Sequence, residues 1–399
     1  MSYYQTDEFT ATLRAQVVRV TSKPGLPDWR AITPATVLLA ETVEMPPDGH
    51  ALLLGCGHGA LGVTLARQIP GGDLGLMDTS LIALTMAEQT LRANGVANAY
   101  LHSGITLLPA QAEAFDTVVM ELPKGRKLAR RWLAEAYAVL KPGGELYLAG
   151  ANKQGIQPVI EDAAALFGKA VVLKYKKGNR VARAVKDPQR PGEPPWAKEP
   201  GIAPGTWYEF EVNARGNSFR LRSLPGVFAY DDQLDAGTGL LLTRLAVPPG
   251  AQVLDVGCGY GIIGLLAARL GAAHVDMVDV NLWAVAAARE NVARNGISNA
   301  RAFPSDAFSA VRDKQYHLIV TNPPFHTGKA VDYEVAQAFI EGARHTLAPG
   351  GQLMLVANKF IRYDRLMRAL FDEHVECLAE TGRYHVLLAT QQTERGFNQ

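Results

Sequence analysis

The tetrapeptide Asn322-Pro323-Pro324-Phe325 contains the residue types best suited to chemistry. It follows the apolar run His317–Thr321, which predicts a buried strand. Because the two prolines remove backbone donors and stiffen the turn, the Asn322 side-chain oxygen and the Pro323 carbonyl remain as fixed acceptors. Two acceptors suit the two hydrogens of an exocyclic amino group and direct the nitrogen lone pair toward an electrophilic methyl group. Phe325 can stack on a planar base removed from its helix; a Pro-rich turn that only ends a strand is the structural alternative.

A glycine-rich turn lies 65 residues before the tetrapeptide, where Val253–Val256 is followed by Gly257-x-Gly259-x-Gly261. The pattern predicts a tight turn at the carboxyl end of a strand, where open α/β sheets bind ligands. NAD and FAD domains use a related pattern, and a turn needed only for packing is a further alternative. The G-x-G-x-G spacing and Asp255, whose charge would attract a cationic amino acid group and repel a pyrophosphate, favour S-adenosylmethionine.

Two further carboxylates follow the next strands. Asp279 ends the apolar run Val275–Asp279, where it can accept hydrogen bonds from the hydroxyls of a ribose. Asp306, between Ser305 and Ala307, could recognise the adenine amino group and N1, although it is equally suited to cap a helix. The predicted cofactor site therefore includes Asp255, Gly257, Cys258, Gly259, Gly261, Asp279, Val280, Asp306, Ala307 and Asn322.

The elements that position these residues occur twice in the chain, at a period of about 200 residues. Gly55-Cys-Gly-His-Gly59 matches Gly257-Cys-Gly-Tyr-Gly261, and in both halves an apolar run then ends in aspartate, Asp78 or Asp279. Each half later contains an Asn-Gly pair after an arginine, and a Pro-Gly-Gly turn followed by Ala-Asn-Lys. The sequence therefore predicts a tandem duplication of one domain.

Alternating strands and helices in each half predict an α/β protein with two tandem Rossmann-like domains, each a parallel, doubly wound sheet with helices on both faces. We expect the first domain at residues 1–186, a Pro-rich linker at 187–205 and the second domain at 206–399. Trp207–Val212 and Ser218–Arg222 predict a hairpin leading into the second domain.

The net charge of +1 hides an asymmetry, because residues 124–222 contain 19 Lys+Arg against 9 Asp+Glu. Such a basic region favours a polyanionic partner, most naturally nucleic acid, although a solvated surface of incidental sign is the alternative. The predicted RNA-contacting residues are Lys124, Arg126, Lys127, Arg130 and Arg131.

The second half resembles S-adenosylmethionine-dependent methyltransferases that act on amino groups through an Asn-Pro-Pro-Phe motif. The whole chain resembles the RsmC/RlmG-type ribosomal RNA guanine-N2 methyltransferases, a match carried also by Leu224–Phe228, Leu234–Leu242, Asn322–His326 and Thr381–Tyr384. The resemblance implies two methyltransferase-like domains of which only the second is catalytic. It also implies S-adenosylmethionine as cofactor and Gly237 and Thr238 near its methionine end.

The first half departs from this pattern at the residues that matter for chemistry. Leu53 stands where Asp255 does, and Asn322–Phe325 becomes Glu121-Leu-Pro-Lys124. We therefore expect a degenerate first domain, with RNA positioning, residual cofactor binding or a structural role left open for it.

Composition narrows the function classes. With 48% hydrophobic and 20% charged residues, the chain is typical of a globular protein. Three cysteines and nine histidines form no metal-ligand spacing. No metal, no signal peptide, no membrane segment, a cytoplasmic location and a monomer are expected.

These observations predict an enzyme that methylates the exocyclic N2 of a guanine in ribosomal RNA, with 16S RNA of the small subunit favoured. The partner is the ribosomal RNA or the ribosomal subunit. Methylation of adenine N6 or of a protein glutamine, and a non-catalytic RNA-binding assembly factor, are the alternatives.

Overall fold

The computed structural model describes residues 3–107, 111–187, 189, 194–231, 234–323 and 330–392, except the side chains of 330–334 and 336. Contacts divide the chain into two compact units, Met1–Trp207 and Tyr208–Gln399. The two units have the same order of elements, which confirms the predicted duplication.

The N-terminal unit begins with a hairpin and continues with alternating helices and strands. Its helices are α1 (Pro34–Thr42), α2 (Ala60–Ala66), α3 (Leu81–Ala93), α4 (Arg126–Val139) and α5 (Ile156–Phe167). Its strands are β1 (Asp7–Leu13), β2 (Gln16–Ser22), β3 (His50–Leu54), β4 (Asp73–Met77), β5 (Ala99–His102), β6 (Phe115–Glu121), β7 (Leu140–Ala151), β8 (Ala170–Lys176) and β9 (Asn179–Val185).

The C-terminal unit repeats this series. Its helices are α6 (Ala236–Arg244), α7 (Ile262–Arg269), α8 (Leu282–Arg294), α9 (Ala330–Thr346) and α10 (Tyr363–Leu370). Its strands are β10 (Tyr208–Ala214), β11 (Asn217–Ser223), β12 (Gln252–Val256), β13 (His274–Asp279), β14 (Ala300–Pro304), β15 (Tyr316–Thr321), β16 (Leu347–Asn358), β17 (Val375–Glu380) and β18 (Tyr384–Thr390).

Each unit contains a seven-stranded sheet, in the order β5-β4-β3-β6-β7-β9-β8 or β14-β13-β12-β15-β16-β18-β17. The first five strands of each order are parallel, as predicted for a doubly wound α/β fold. The prediction of wholly parallel sheets is wrong at one edge of each sheet, because β9 pairs antiparallel with β7 and β8, and β18 pairs antiparallel with β16 and β17. A short hairpin connection needs no crossover helix, so β17 and β18 follow each other directly.

The central strands are apolar on both faces because helices cover both sides of the sheet. In β12, Val253, Leu254 and Val256 are at most 1% exposed. The predicted hairpin before the second sheet is confirmed as β10 and β11, which pair antiparallel from Tyr208↔Ser223 to Ala214↔Asn217.

The segment predicted as a linker at 187–205 is ordered over its described C-terminal part. Pro195–Lys198 forms a 3₁₀ helix, and Trp196 is buried. The Arg131 guanidinium donates hydrogen bonds to the carbonyls of Gly201, Ala203 and Thr206 at 2.7–3.2 Å. This stretch therefore packs on the N-terminal unit instead of acting as a flexible spacer.

Within the described ranges, no helix is long and apolar enough to cross a membrane. The same residues contain no group of three or more His, Cys, Asp and Glu side chains that could hold a metal ion.

Candidate active site

Three neighbouring parallel strands of the C-terminal sheet end at one edge and bring the predicted site residues together. β12 lies between β13 and β15, so the glycine turn after Val256, Asp279 and Asn322 follow adjacent strands. Ligands bind at this carboxyl edge in open α/β sheets.

The turn Gly257–Gly261 requires glycine for its backbone conformation. Gly257, Gly259 and Gly261 have φ values of 71°, 56° and 93°, in the left-handed region that disfavours other residues. A Cβ on Gly259 would meet nothing within 4 Å, so the backbone of this residue borders open space where a ligand can approach. The amides of Gly257 and Cys258 donate to the Val278 carbonyl at 2.8 and 3.0 Å, which fixes the turn against β13.

The Asp279 carboxylate is positioned by backbone amides beside this turn. One oxygen accepts from Gly259 N at 2.9 Å and the other from Asn281 N at 2.8 Å. Burial raises the pKa of Asp279, while hydrogen bonds from these amides and that of Val280 lower it. A carboxylate has about four acceptor sites, so one remains available to a hydroxyl of a ribose.

Asp255 lies near the end of β12, two residues before the glycine turn, as the sequence indicates. It is 0% exposed, and its Oδ2 accepts a hydrogen bond from Gly264 N of α7 at 2.9 Å. Its Oδ1 has no hydrogen-bond partner in the described part of the chain. Burial raises the pKa of Asp255 to about 7, and its unpaired Oδ1 leaves the predicted contact with a cationic amino acid group open.

Asp306 follows β14 at the same edge of the sheet and is half-buried. No helix begins there among the described residues, so the alternative of a helix cap is not what the structure shows. The Ser305 hydroxyl instead holds the turn by donating to the Ala307 carbonyl at 2.7 Å.

Asn322 is held in one orientation by its amide nitrogen. Nδ2 donates to Thr238 Oγ1 at 2.8 Å and to Asp235 Oδ2 at 3.3 Å. Oδ1 is buried and has no hydrogen-bond partner among the described residues. This acceptor is therefore available to a ligand that donates a hydrogen bond to it. Pro323 is buried beside it, whereas Pro324 and Phe325 lie outside the described residues.

Asp235, to which the sequence analysis assigned no role, forms hydrogen bonds with both Thr238 and Asn322. It caps α6 by accepting from Thr238 N at 2.9 Å, and its Oδ2 also receives the Asn322 amide. Gly237, on the same turn, lies against Tyr384, whose ring would be 3.2 Å from a Cβ added there. The available signal was an aspartate directly before an apolar helix, the pattern of an N-cap.

The N-terminal unit has the same backbone arrangement at the corresponding site but different side chains. The Asp78 carboxylate accepts from Gly57 N at 3.2 Å, as Asp279 does from Gly259. Glu121 replaces Asn322, and its Oε2 accepts from Thr36 Oγ1 at 3.0 Å. Burial raises the pKa of Glu121 to about 7. An acidic side chain therefore stands where the C-terminal unit has a neutral amide.

Two apolar replacements also distinguish the N-terminal unit. Leu53, which stands at the position of Asp255, is 0% exposed. Ile105 stands at the position that corresponds to Asp306. Each lies the same number of residues after an alanine, Ala99 or Ala300, and these two alanines pair at the same position of the neighbouring strand. An isoleucine offers no acceptor for an adenine amino group, so this unit lacks that contact.

The prediction that Arg131 contacts RNA is wrong, because its side chain is 1% exposed and forms an ion pair with Glu135 at 2.9 Å. Arg126 and Arg130 both bind Asp162, at 2.7 and 2.9 Å. Burial raises the pKa of Asp162, but these two guanidinium groups outweigh it and hold the value below the usual range. Lys124 and Lys127 are exposed.

The residues of the C-terminal unit fit a nucleoside cofactor and an amine substrate side by side. Open backbone at Gly259, ribose acceptors on Asp279 and a carboxylate at Asp306 suit S-adenosylmethionine. The Oδ1 atom of Asn322 supplies a fixed acceptor beside them. Such an arrangement can orient an amino group without a strong base.

Comparison with known proteins agrees with this geometry. The family model for the methyltransferase small domain matches residues 17–183 and 218–388, one match in each unit. The chain is 34% identical over 279 residues to the ribosomal RNA small subunit methyltransferase C of Pseudomonas entomophila (strain L48), covering 70% of this chain and 80% of the relative. It is 33% identical over 286 residues to the protein of that name from Salmonella typhi, covering 70% and 78%.

A solved structure matches over nearly the whole chain. It is the T. thermophilus 16S rRNA N2 G1207 methyltransferase (RsmC) in complex with AdoMet and guanosine. The TM-score is 0.79 and the sequence identity 31%, with 98% of this chain and 99% of that chain covered.

Proposed function

The chain belongs to the methyltransferase small domain family and to the RsmC-type ribosomal RNA methyltransferases, and on this premise we propose that its C-terminal unit methylates the exocyclic N2 of a guanine in 16S ribosomal RNA. The enzyme uses S-adenosylmethionine, which supplies the electrophilic methyl group when bound. The observation that carries the assignment of the site is the buried Oδ1 of Asn322, which has no hydrogen-bond partner in the part of the chain that the structure describes.

Asn322 accepts one hydrogen of the guanine amino group in this proposal, and the Pro323 carbonyl accepts the other. The two bonds draw the nitrogen lone pair out of conjugation with the base, so it becomes available for attack. Thr238 and Asp235 hold Nδ2 and thereby keep Oδ1 directed at the substrate. The amino nitrogen can lose its proton after the methyl group is transferred, so no strong base is required before attack.

Asp279, the turn Gly257–Gly261 and Asp306 hold the cofactor. Asp279 binds the ribose, and the glycine turn allows close approach of the backbone. Asp306, with the backbone near Ala307, recognises the adenine. Gly237 and Thr238 lie toward the methionine end, where Thr238 also contacts Asn322.

The target guanine must be unpaired or flipped, because its N2 otherwise lies inside a base pair. Phe325 is proposed to stack on the exposed base. The N-terminal unit does not catalyse transfer, because Glu121 replaces the amide acceptor and Lys124 replaces the aromatic ring. We propose that Lys124, Lys127 and the exposed part of Arg126 contact RNA phosphates, which position a strand without reading bases.

We further propose that the enzyme acts as a monomer in the cytoplasm. Its two units come from one chain, and the catalytic residues described above all belong to the second unit.

Matched substitutions in the two units test the assignment of the site. Asn322→Ala should lower kcat for methylation of ribosomal RNA by about 10²–10³-fold, the cost of removing one preorganised hydrogen-bonding group that acts on the reacting centre. S-adenosylmethionine should bind Asn322→Ala with a Kd within threefold of wild type by calorimetry. Glu121→Ala, at the same position of the N-terminal unit, should leave kcat within threefold of wild type. Equal losses of cofactor binding and kcat in Asn322→Ala would refute the role of its amide.

A further inference from the structure

Two exposed phenylalanines lie on opposite sides of the proposed active site. Phe228 is 60% exposed and Phe360 is 64% exposed, and no other phenylalanine is among the strongly exposed side chains of the described residues. An exposed aromatic ring beside a site offers an apolar face on which a planar group of a substrate can stack.

Phe228 lies on the side of the cofactor carboxylate. The Gly226 carbonyl, two residues earlier, accepts from Asn281 Nδ2 at 2.9 Å. Asn281 N in turn donates to Asp279 Oδ1 at 2.8 Å. Phe228 is therefore tied to the edge of β13 by a short chain of hydrogen bonds.

Phe360 lies on the side of the amine-binding amide. β16 runs parallel to β15, with Thr321 opposite Leu355, and ends at Asn358, two residues before Phe360. Asn358 pairs with Tyr384, whose ring packs against Gly237 next to Thr238. At about 4.8 Å per strand, the three spacings from β13 to β16 separate the two sides by about 14 Å.

The N-terminal unit shows that the fold does not need these rings. Gly25 and Asp28 have φ values of 104° and 49°, and Gly226 and Ala229 have 93° and 51°, so the two loops share a backbone conformation. Pro27 occupies the position of Phe228 in this shared loop. The turn Asn152–Gln154, which corresponds to the turn containing Phe360, has no aromatic residue.

We propose that Phe228 and Phe360 stack on the unpaired nucleotides that flank the target base, one on each side of the active site. The inference rests on the proposed function, because it assumes an RNA substrate. A base that leaves its helix exposes the faces of its neighbours, and aromatic side chains stack on such faces whatever the base. Two exposed arginines lie near Phe360: Arg365 in α10, and Arg383, whose carbonyl accepts from Lys359 N at 2.8 Å. Their positive charge suits the phosphates of the same RNA strand.

At these two positions the unit that lost the amide acceptor has no aromatic ring, whereas the unit that kept it has one at each. This distribution favours a role in the reaction over a role in folding. The target guanine itself is not the proposed occupant, because stacking on its face is already assigned to Phe325 in the proposed function.

The proposal is tested by the kinetics of RNA methylation together with two binding measurements made without RNA. The substrate is 16S ribosomal RNA, or the small subunit, from cells lacking this protein, and Phe228→Ala and Phe360→Ala are compared with wild type. Each variant should lower kcat/KM for RNA about tenfold, and the double variant about a hundredfold, since base–aromatic stacking has effects of this size and the two sites are far apart. The Kd values of S-adenosylmethionine and of guanosine should stay within twofold of wild type, because neither contains a flanking base.

Conservative and matched variants decide between stacking and other effects. Phe228→Trp and Phe360→Trp should keep kcat/KM within threefold of wild type, and Pro27→Ala, at the matching position of the N-terminal unit, should not change it. Alanine variants with unchanged kcat/KM, losses that tryptophan does not restore, or weaker guanosine binding would overturn the proposal. Wild-type protein that methylates no guanine in either RNA substrate would instead overturn the proposed function.

Discussion

Replacing Thr238 with valine should disable Asn322 without touching Asn322 itself. Thr238 Oγ1 receives the Asn322 Nδ2 hydrogen bond at 2.8 Å, the shorter of the two that fix the amide. Valine has nearly the same shape but offers no acceptor. The amide then keeps only the 3.3 Å bond to Asp235 and can rotate its oxygen away from the substrate.

The size of the effect follows from the loss of this one bond. Leaving a buried donor without its partner costs about 1–3 kcal/mol. Because the amide keeps its bond to Asp235, we expect the cost in Thr238→Val to lie near the lower end of this range. A cost of about 1.4 kcal/mol corresponds to a tenfold fall in kcat.

A double-mutant cycle shows whether Thr238 acts through Asn322. If it does, the double variant Thr238→Val, Asn322→Ala should be no slower than Asn322→Ala alone within twofold. Initial rates of methyl transfer to ribosomal RNA at saturating cofactor give kcat, and calorimetry gives the Kd of S-adenosylmethionine. Thr36→Val, which removes the matching hydroxyl that donates to Glu121 in the N-terminal unit, should leave kcat unchanged.

Multiplying effects in the double variant would refute this reasoning, because Thr238 would then act independently of the amide. A Kd that rises as much as kcat falls would also contradict it, since Thr238 would then serve mainly the cofactor.

Three further variants test other parts of the account. Asp279→Ala should raise the Kd of S-adenosylmethionine by about 10- to 100-fold, since hydrogen bonds to a charged group are worth about 1.5–3 kcal/mol, whereas Asp78→Ala should leave that Kd unchanged. Glu121 has a folded-state pKa raised to about 7, so its contribution to stability is lost as pH rises from about 4.5 through 7. In urea unfolding, the free energy of unfolding of wild type should fall between pH 5 and pH 8. The fall should be smaller in Glu121→Gln, by up to about 3 kcal/mol. Arg131→Met should destabilise the N-terminal unit by about 3–5 kcal/mol, because the buried Glu135 loses its ion-pair partner, while the salt dependence of RNA binding should not change.

Local patterns in the sequence were enough to predict the fold and one side of the site. The glycine turn, Asp279 at the end of its strand and the strand before Asn322 are each defined by a few consecutive residues, so their order along the chain indicates their place in the sheet. The antiparallel edges β8–β9 and β17–β18 were missed because alternation of helices and strands ceases only after α5 and α10, at the end of each unit.

Contacts between distant residues were not accessible in this way. The hydrogen bonds from Asn322 reach Thr238 and Asp235, which are 84 and 87 residues away. Arg131 counts as a positive charge in the sequence, yet it is buried, where it pairs with Glu135 and donates to four backbone carbonyls. The hydrogen bond that Asp255 accepts from Gly264 N of the following helix was likewise not predicted.

The most direct test of the central claim is to identify the methylated nucleoside. Ribosomal RNA and both ribosomal subunits from cells lacking this protein are incubated with the full chain and methyl-labelled S-adenosylmethionine, then digested to nucleosides. The account predicts label in N2-methylguanosine from 16S RNA. Label only in N6-methyladenosine, or no label in any RNA while the cofactor still binds, would contradict it.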